Sequence, residues 1–403
     1  MSDAKLKILY VTCTEIDRRN GAAVNESESI RGLLACENVQ VHAVAAYREN
    51  VHFAQDLSVS TLTRVKGHCG RPRGYFLYWF RMLRAIAAAM RQHQPDIILY
   101  RISLAPVPEL LIHFCTRRPY AIKTWKDPSD IFERRWGGLG NLIAKISRAL
   151  QGMVLRRAVV VDVQSKEWGN WLHQMHQVPR SRIRVVPNGA NGERFLAPQG
   201  RREGQRRVAV RLPRFIYAGA FHSVYELDVL VDAVAAIDPA KRDFEVVIAG
   251  AGPEEADLRA RIERSGVADR FSFQGWVPYS ELPELLWACD WGIDLAAYPI
   301  SKASAVRTSI SQKSAQYLVA GLPVVAWDID GSDFLRENSI GLLAQHRSAE
   351  DLSRVLLQAV EMFRNGDLDA MSRRGIEFAS CERSQEAMAS ARCKMYQQML
   401  HAA

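Results

Sequence analysis

Two carboxylates, Asp127 and Asp130, stand three positions apart in the stretch Thr124-Trp125-Lys126-Asp127-Pro128-Ser129-Asp130, directly after an apolar run at 120–123. A carboxylate held at the end of a strand can take a proton from an acceptor hydroxyl. In the same place it can instead cap the helix that follows. Glu15 is the next candidate base, in the loop that also holds Arg18, Arg19 and Gly21. Gly21 leaves room for a substrate to approach the backbone closely. Farther on, Gly250-Ala251-Gly252-Pro253-Glu254 ends an apolar run and opens a helical stretch. Such a turn offers amides and a helix N-terminus to an anion. It lacks the third glycine of a dinucleotide fingerprint, and alone it reads as a tight strand-to-helix turn. In residues 71–91, Trp79, Phe80 and Leu83 recur at helical spacing beside Arg81, Arg84 and Arg91. That pattern suits a helix lying in an anionic membrane interface, or an ordinary packed helix with a solvated face.

These residues need a frame that brings strand ends together. Short apolar runs at 8–11, 39–44, 97–100, 159–161 and 183–186 alternate with helical stretches at 76–92, 107–116, 139–156 and 166–176. Strands alternating with helices imply a parallel sheet covered on both faces. The pattern stops in the Arg-, Gln- and Gly-rich segment 196–212 and restarts at 215–217. Runs at 246–248, 271–273, 292–295 and 323–326 then alternate with helices near 225, 254–265, 280–288 and 309–320, and three polar helices close the chain. The predicted fold class is α/β, with two Rossmann-like doubly wound domains facing across a cleft. The first covers residues 1–198, a linker 199–212, and the second 213–383, with the last helix, 384–403, packing back on the first. Open parallel sheets bind ligands at the carboxyl ends of their strands, so such a cleft would hold donor and acceptor together.

Composition sets outer bounds. With 48% apolar residues in 403, the chain buries enough surface to exclude disorder, collagen and coiled coil. No window reaches a membrane span and no signal peptide is recognised at the N-terminus, so a cytosolic location is expected. Seven scattered Cys form no Cys-x-x-Cys pair, so neither a disulfide framework nor a zinc knuckle is expected. The net charge of +9 favours anionic partners, and residues 64–91 carry seven Lys or Arg without an acid. No nucleic-acid recognition motif accompanies that charge, so nucleic acid is not an expected partner.

From Pro187 to Gly341 the chain resembles the nucleotide-sugar glycosyltransferases of the GT-B fold, specifically glycosyltransferase family 4, or group 1. The matching pieces are IRVVPNGANGERF at 183–195, FIYAGAFHSVYELDVL at 215–230, VVIAGAGPEEADL at 246–258, VADRFSFQGWV at 267–277, KSAQYLVAGLPVV at 313–325 and NSIGLL at 338–343. They occur in family order. The resemblance implies that Lys313 stabilises the donor diphosphate and that Gln316 takes the place of the Glu that grips the ribose hydroxyls. It puts Thr308 where a second Glu lies near the donor sugar, and Ala220 and Tyr225 where the family has Arg and Lys. Gly219, His222, Gly250, Gly252 and Arg307 complete the implied donor site. A cation at the leaving diphosphate would come from Lys or Arg, so neither a metal nor another cofactor is expected beside the nucleotide-sugar co-substrate. The expected activity is hexosyl transfer from a nucleotide-diphosphate sugar to a hydroxyl of a lipid-linked or surface-polysaccharide acceptor. The enzyme would sit peripherally on the inner face of the cell membrane, with Trp79, Arg81 and Arg84 touching anionic lipid. The alternative is a degenerate GT-B protein that binds a nucleotide sugar or glycan without turnover.

Overall fold

The computed structural model describes residues 5–17, 21–48, 61–67, 72–103, 106–198, 211–300, 306–309 and 311–401, without the side chains of 72, 73, 75, 76, 130–139 and 401. Arg18, linker residues 199–210 and the Asp130 side chain therefore lie outside the described residues. The chain divides into two units. One comprises Met1–Pro187, Ile300–Ser304 and Met388–Ala403; the other comprises Asn188–Pro299 and Ala305–Ala387.

The first unit holds a parallel sheet of β1 (Leu6–Glu15), β2 (Val39–Tyr47), β3 (Leu62–Lys66), β4 (Ile97–Arg101), β5 (Tyr120–Thr124), β6 (Val160–Val163) and β7 (Ile183–Val185). Their order is β3-β2-β1-β4-β5-β6-β7, so the chain reverses its direction of travel between β1 and β4. Helices α1 (Gly21–Leu34), α2 (Pro72–His93), α3 (Val107–Thr116), α4 (Asp130–Arg157) and α5 (Lys166–His176) connect the strands. The central strands are buried on both faces, which explains their near-continuous apolar runs. Helix α1 lacks such a signal because Glu26, Ser27, Glu28 and Ser29 are themselves buried in it. Strand β3, on the sheet edge, carries Arg64 and Lys66 and shows no unbroken apolar run.

The second unit begins with α6 (Gly192–Phe195) and builds a parallel sheet ordered β10-β9-β8-β11-β14-β15. Its strands are β8 (Arg214–Ala218), β9 (Glu245–Ala249), β10 (Phe271–Gly275), β11 (Trp291–Asp294), β14 (Val324–Trp327) and β15 (Gly341–Ala344). Strands β12 (Tyr298–Pro299) and β13 (Arg307–Thr308) form a separate antiparallel pair. Between them in sequence lie α7 (Leu227–Ala236), α8 (Glu255–Arg264), α9 (Leu282–Trp287), α10 (Lys313–Val319) and α11 (Asp333–Glu337), followed by α12 (Ala349–Asn365) and α13 (Leu368–Glu382). The switch point of this sheet lies between β8 and β11.

Two expected boundaries move. Residues 188–198 belong to the second unit, not the first, because Ala190 and Phe195 are buried among Ile216, Val247, Leu286 and Tyr317. Trp287 Nε1 also donates to the Phe195 carbonyl at 2.8 Å. The last helix, α14 (Gln385–His401), has most of its length in the first unit, from Met388 onward. There the buried Arg392 guanidinium donates to the buried Asp162 carboxylate of β6 at 2.6 Å.

Candidate functional site

At the switch point of the second unit, two glycine turns interlock. Gly219 follows β8 and Gly250 follows β9. Gly219 N–H donates to the Ala249 carbonyl, and Phe221 N–H to that of Ala251. Gly250 adopts φ +140, and a Cβ there would fall on the Gly219 carbonyl oxygen. A Cβ on Gly252 would strike the Phe221 backbone. Both glycines are therefore required by close backbone approach, and Gly250 by its positive φ as well.

Lys313 opens α10 and lies over the first of these turns. A side chain on Gly219 would collide with Lys313 Cε. The lysine is buried at 9% exposure, yet no carboxylate among the described residues pairs with it. Its ammonium stands 3.7 Å from the ring centre of Tyr225 and 5.4 Å from that of Tyr217. Aromatic faces hold a cation without neutralising it. Tyr225 is in turn fixed by a 2.8 Å hydrogen bond from Tyr298 Oη to Tyr225 Oη. Asp294, at the end of β11, anchors the same helix start: its Oδ2 accepts from Ser314 N–H at 3.2 Å and Ser314 Oγ at 2.7 Å. Gln316 lies one turn on and is buried. A buried lysine without a carboxylate partner beside a pair of glycine turns has the chemistry to receive an anion.

The other expected donor residues fall differently. His222 is exposed in the turn after Phe221. Arg307 is half-buried on β13. Thr308 is buried and spends its hydroxyl on Asp330, donating to the carbonyl at 3.1 Å and to Oδ2 at 3.0 Å. It fastens β13 to the turn at Asp330 rather than standing open to a sugar. Asp328-Ile329-Asp330 has the spacing of a metal-holding pair, but Asp328 is ion-paired with Arg336. Among the described residues, no group of three or more His, Cys, Asp or Glu is placed to hold a metal ion.

In the first unit, Asp127 is buried at 4%. Its Oδ1 accepts from Ser129 N–H at 2.9 Å and from Ser129 Oγ, and its Oδ2 from Arg148 Nε at 2.6 Å. Those contacts make it an anchor of its loop; the helix that follows, α4, has Ser129 at its N-cap and no side-chain cap hydrogen bond. Asp130 is the first residue of α4. Glu15 ends β1, with Oε1 against Gly67, and Gly21 is the exposed first residue of α1. A charged cluster that sequence reasoning missed lies in the first unit. Glu26 is fully buried with Arg101, Lys123 at 3.6 Å and the Tyr10 hydroxyl at 2.8 Å. Burial alone would raise its carboxyl, but the Arg101 and Lys123 charges outweigh it and hold it at about 2. Burial brings Lys123 down to about 8 despite Glu26. Glu26 shares a helix face with Ala23, Ile30 and Leu33, a spacing that marks it as inward-facing once the helix is known.

Trp79 and Leu83 do not form an exposed stripe. Both are partly buried against the core of the first unit, and Trp79 lines a cavity there. The exposed face of α2 instead includes Leu77, Phe80, Arg81 and Arg84, and the Arg84 guanidinium lies 5.7 Å from the Phe80 ring centre. Among the described residues, no helix is long and apolar enough to cross a membrane.

Comparison with known proteins places this architecture. Residues 20–194 match the model of "Glycosyltransferase Family 4", and residues 212–362 that of "Glycosyl transferases group 1". The chain belongs to the group 1 glycosyltransferases. Among curated members, it is 30% identical to the 2-deoxystreptamine glucosyltransferase of Streptomyces kanamyceticus over 132 residues, 32% of each chain. It is 27% identical to the lipopolysaccharide core biosynthesis mannosyltransferase LpsB of Rhizobium meliloti over 234 residues, 52% of this chain and 63% of that one. The matched segments thus span between a third and just under two thirds of these relatives. Among solved structures, Anabaena Alr3699/HepE, in complex with UDP, superposes with a TM-score of 0.72 at 16% identity, covering 98% of this chain and 100% of that one. Sucrose-phosphate synthase from Thermosynechococcus elongatus gives 0.74 at 16% identity, covering 99% and 100%. At these identities the likeness establishes the GT-B fold.

Proposed function

We propose that this group 1 protein transfers a hexosyl group from a nucleotide-diphosphate sugar to a hydroxyl of a lipid-linked or surface-glycan acceptor. The observation that carries the reading is Lys313: a buried cation, held by aromatic rings rather than a carboxylate, over the Gly219 turn at the switch point of its sheet. The complex of HepE with UDP supports a uridine nucleotide as the first donor to try. On this reading the diphosphate lies along the Gly219 and Gly250 turns, and Lys313 stabilises the charge that grows on it as the sugar leaves. That ammonium supplies the positive charge without a divalent cation. Gln316 would address the ribose through neutral hydrogen bonds. Acceptor and base belong to the first unit. Asp127, Asp130 and Glu15 are the candidates for the base, and both oxygens of Asp127 already accept hydrogen bonds. Acceptors named for the relatives range from 2-deoxystreptamine to lipopolysaccharide core, so the acceptor is not inherited from them.

The test is calorimetry and turnover with UDP and UDP-sugars. Lys313→Ala should lower turnover by about 10²–10³, the usual loss for one such electrostatic contact. Unchanged kinetics in that variant would remove the assignment.

Peripheral membrane docking on the cytosolic face is supported by one feature. Leu77, Phe80, Arg81 and Arg84 are exposed at positions i, i+3, i+4 and i+7 of α2, an apolar and basic stripe without an acid. Co-sedimentation with anionic vesicles should fall when Phe80 and Arg84 are replaced. Equal recovery with neutral vesicles would refute docking.

A further inference from the structure

A second site lies in the first unit, at the sheet's own switch point. Between β1, the segment just after β4, the middle of α2 and the first turn of α3 is a cavity of ≈ 10 Å³. That volume accommodates one group about the size of a water molecule. Its walls include Val11, Cys13, Tyr78, Trp79, Met82 and Glu109. Glu109 is 4% exposed, and its Oε2 is buried without a hydrogen-bond partner. None of the residues lining the cavity is basic. The Ser103 hydroxyl lines the same cavity and draws the carboxyl down somewhat, yet the Glu109 Oε2 facing this small void beside two aromatic rings still lacks a hydrogen-bond partner. Such a group costs free energy unless something completes it.

We propose that this cavity binds a primary ammonium group, with Glu109 as its counter-ion and the Tyr78 and Trp79 rings as its walls. An ammonium matches the cavity in size, donates to the free oxygen, and is attracted by aromatic faces. A neutral hydroxyl would satisfy the oxygen but leave the aromatic lining unused. Burial pushes the Glu109 carboxyl up to about 7, so in the empty site it is partly protonated near neutrality. Ammonium binding then displaces that proton to solvent, leaving a carboxylate–ammonium pair. The other titratable groups that feel Glu109 are Cys13 from β1, Tyr78 from α2, Tyr100 from β4 and Tyr120 from β5, and burial raises all four, so they stay neutral there. The inference deepens the reading of the first unit as the acceptor side and rests on it for its purpose: the acceptor would carry an amino group that anchors it, apart from the hydroxyl that reacts.

Direct binding separates the two readings, because it needs neither donor nor turnover. Ethylammonium and ethanol serve as probes in calorimetry at pH 7, in two buffers of different ionisation enthalpy. Ethylammonium should bind with a Kd of about 1 mM at best, the ceiling for three heavy atoms. It should release a fraction of a proton, and ethanol should bind at least about tenfold more weakly. Glu109→Gln should abolish both the binding difference and the proton release. Equal binding of the two probes, or ethylammonium binding without proton release, overturns the proposal even if the variant does not fold. An unchanged affinity in a folded Glu109→Gln protein overturns it as well.

Discussion

Replacing Tyr225 tests whether the donor site depends on an aromatic support for its cation. The family places a lysine at this position, and here the ring of Tyr225 instead lies 3.7 Å from the Lys313 ammonium. The lysine stem passes directly over Gly219 and is buried, so the ammonium has little room to leave the ring when a diphosphate arrives. The ring contact therefore persists in the complex, and losing it removes preorganisation from the bound state. A desolvated cation–aromatic contact is worth about 2 kcal/mol, which is roughly a 30-fold change in affinity. Tyr225→Leu should weaken UDP binding by about that factor. Tyr225→Phe keeps the ring and loses the hydrogen bond from Tyr298, so it should cost only about 1 kcal/mol, near fivefold. Calorimetric titration with UDP, repeated at two salt concentrations, measures both. Melting curves check that the variants remain folded. Tighter or equal binding by Tyr225→Leu would mean that the ammonium abandons the ring to reach the phosphates, and the support argument would be wrong.

Gly250→Ala places a methyl group on the Gly219 carbonyl oxygen at φ +140, so it should destabilise the second unit by at least about 2 kcal/mol and weaken UDP binding, read by melting and calorimetry. Arg392→Met leaves Asp162 buried without its cation and should cost about 3–5 kcal/mol in urea unfolding, while adding Asp162→Leu should recover much of it. For Glu109, the folded carboxyl is raised from its usual 4.5 to about 7, so its contribution is complete below pH 4.5 and is lost as pH rises through 7. Glu109→Gln is free of that loss, so its stability relative to wild type should climb between pH 5 and pH 8 by up to roughly 3 kcal/mol. A difference that stays flat across that range would mean that Glu109 does not titrate there.

Much of the architecture was legible from local order. Buried parallel strands must be apolar on both faces, so 8–11, 97–100, 215–217 and 246–248 announced themselves as unbroken runs. Gly250 and Gly252 were legible because close backbone approach tolerates no side chain, and Lys313 because its segment keeps a recognisable spacing. Other features depended on partners distant in sequence. That Asp127 is an anchor follows from Arg148, 21 residues away, which supplies the second half of its ion pair. That Trp79 faces inward follows from the strand β1 and helix α3 packed beside it, because helical spacing fixes a stripe but not which side the protein covers. The role of Tyr225 needed Lys313, 88 positions later, to be laid over its ring. Glu26 and Glu109 carry no local signal of their own, since a charge is read from one residue while its burial and its counter-ion are set by the whole fold. Local sequence determines which segments can be strand, helix or tight turn, through periodicity and backbone sterics. The chemistry of a side chain depends on solvent exclusion and neighbouring charge, and only the tertiary structure decides those.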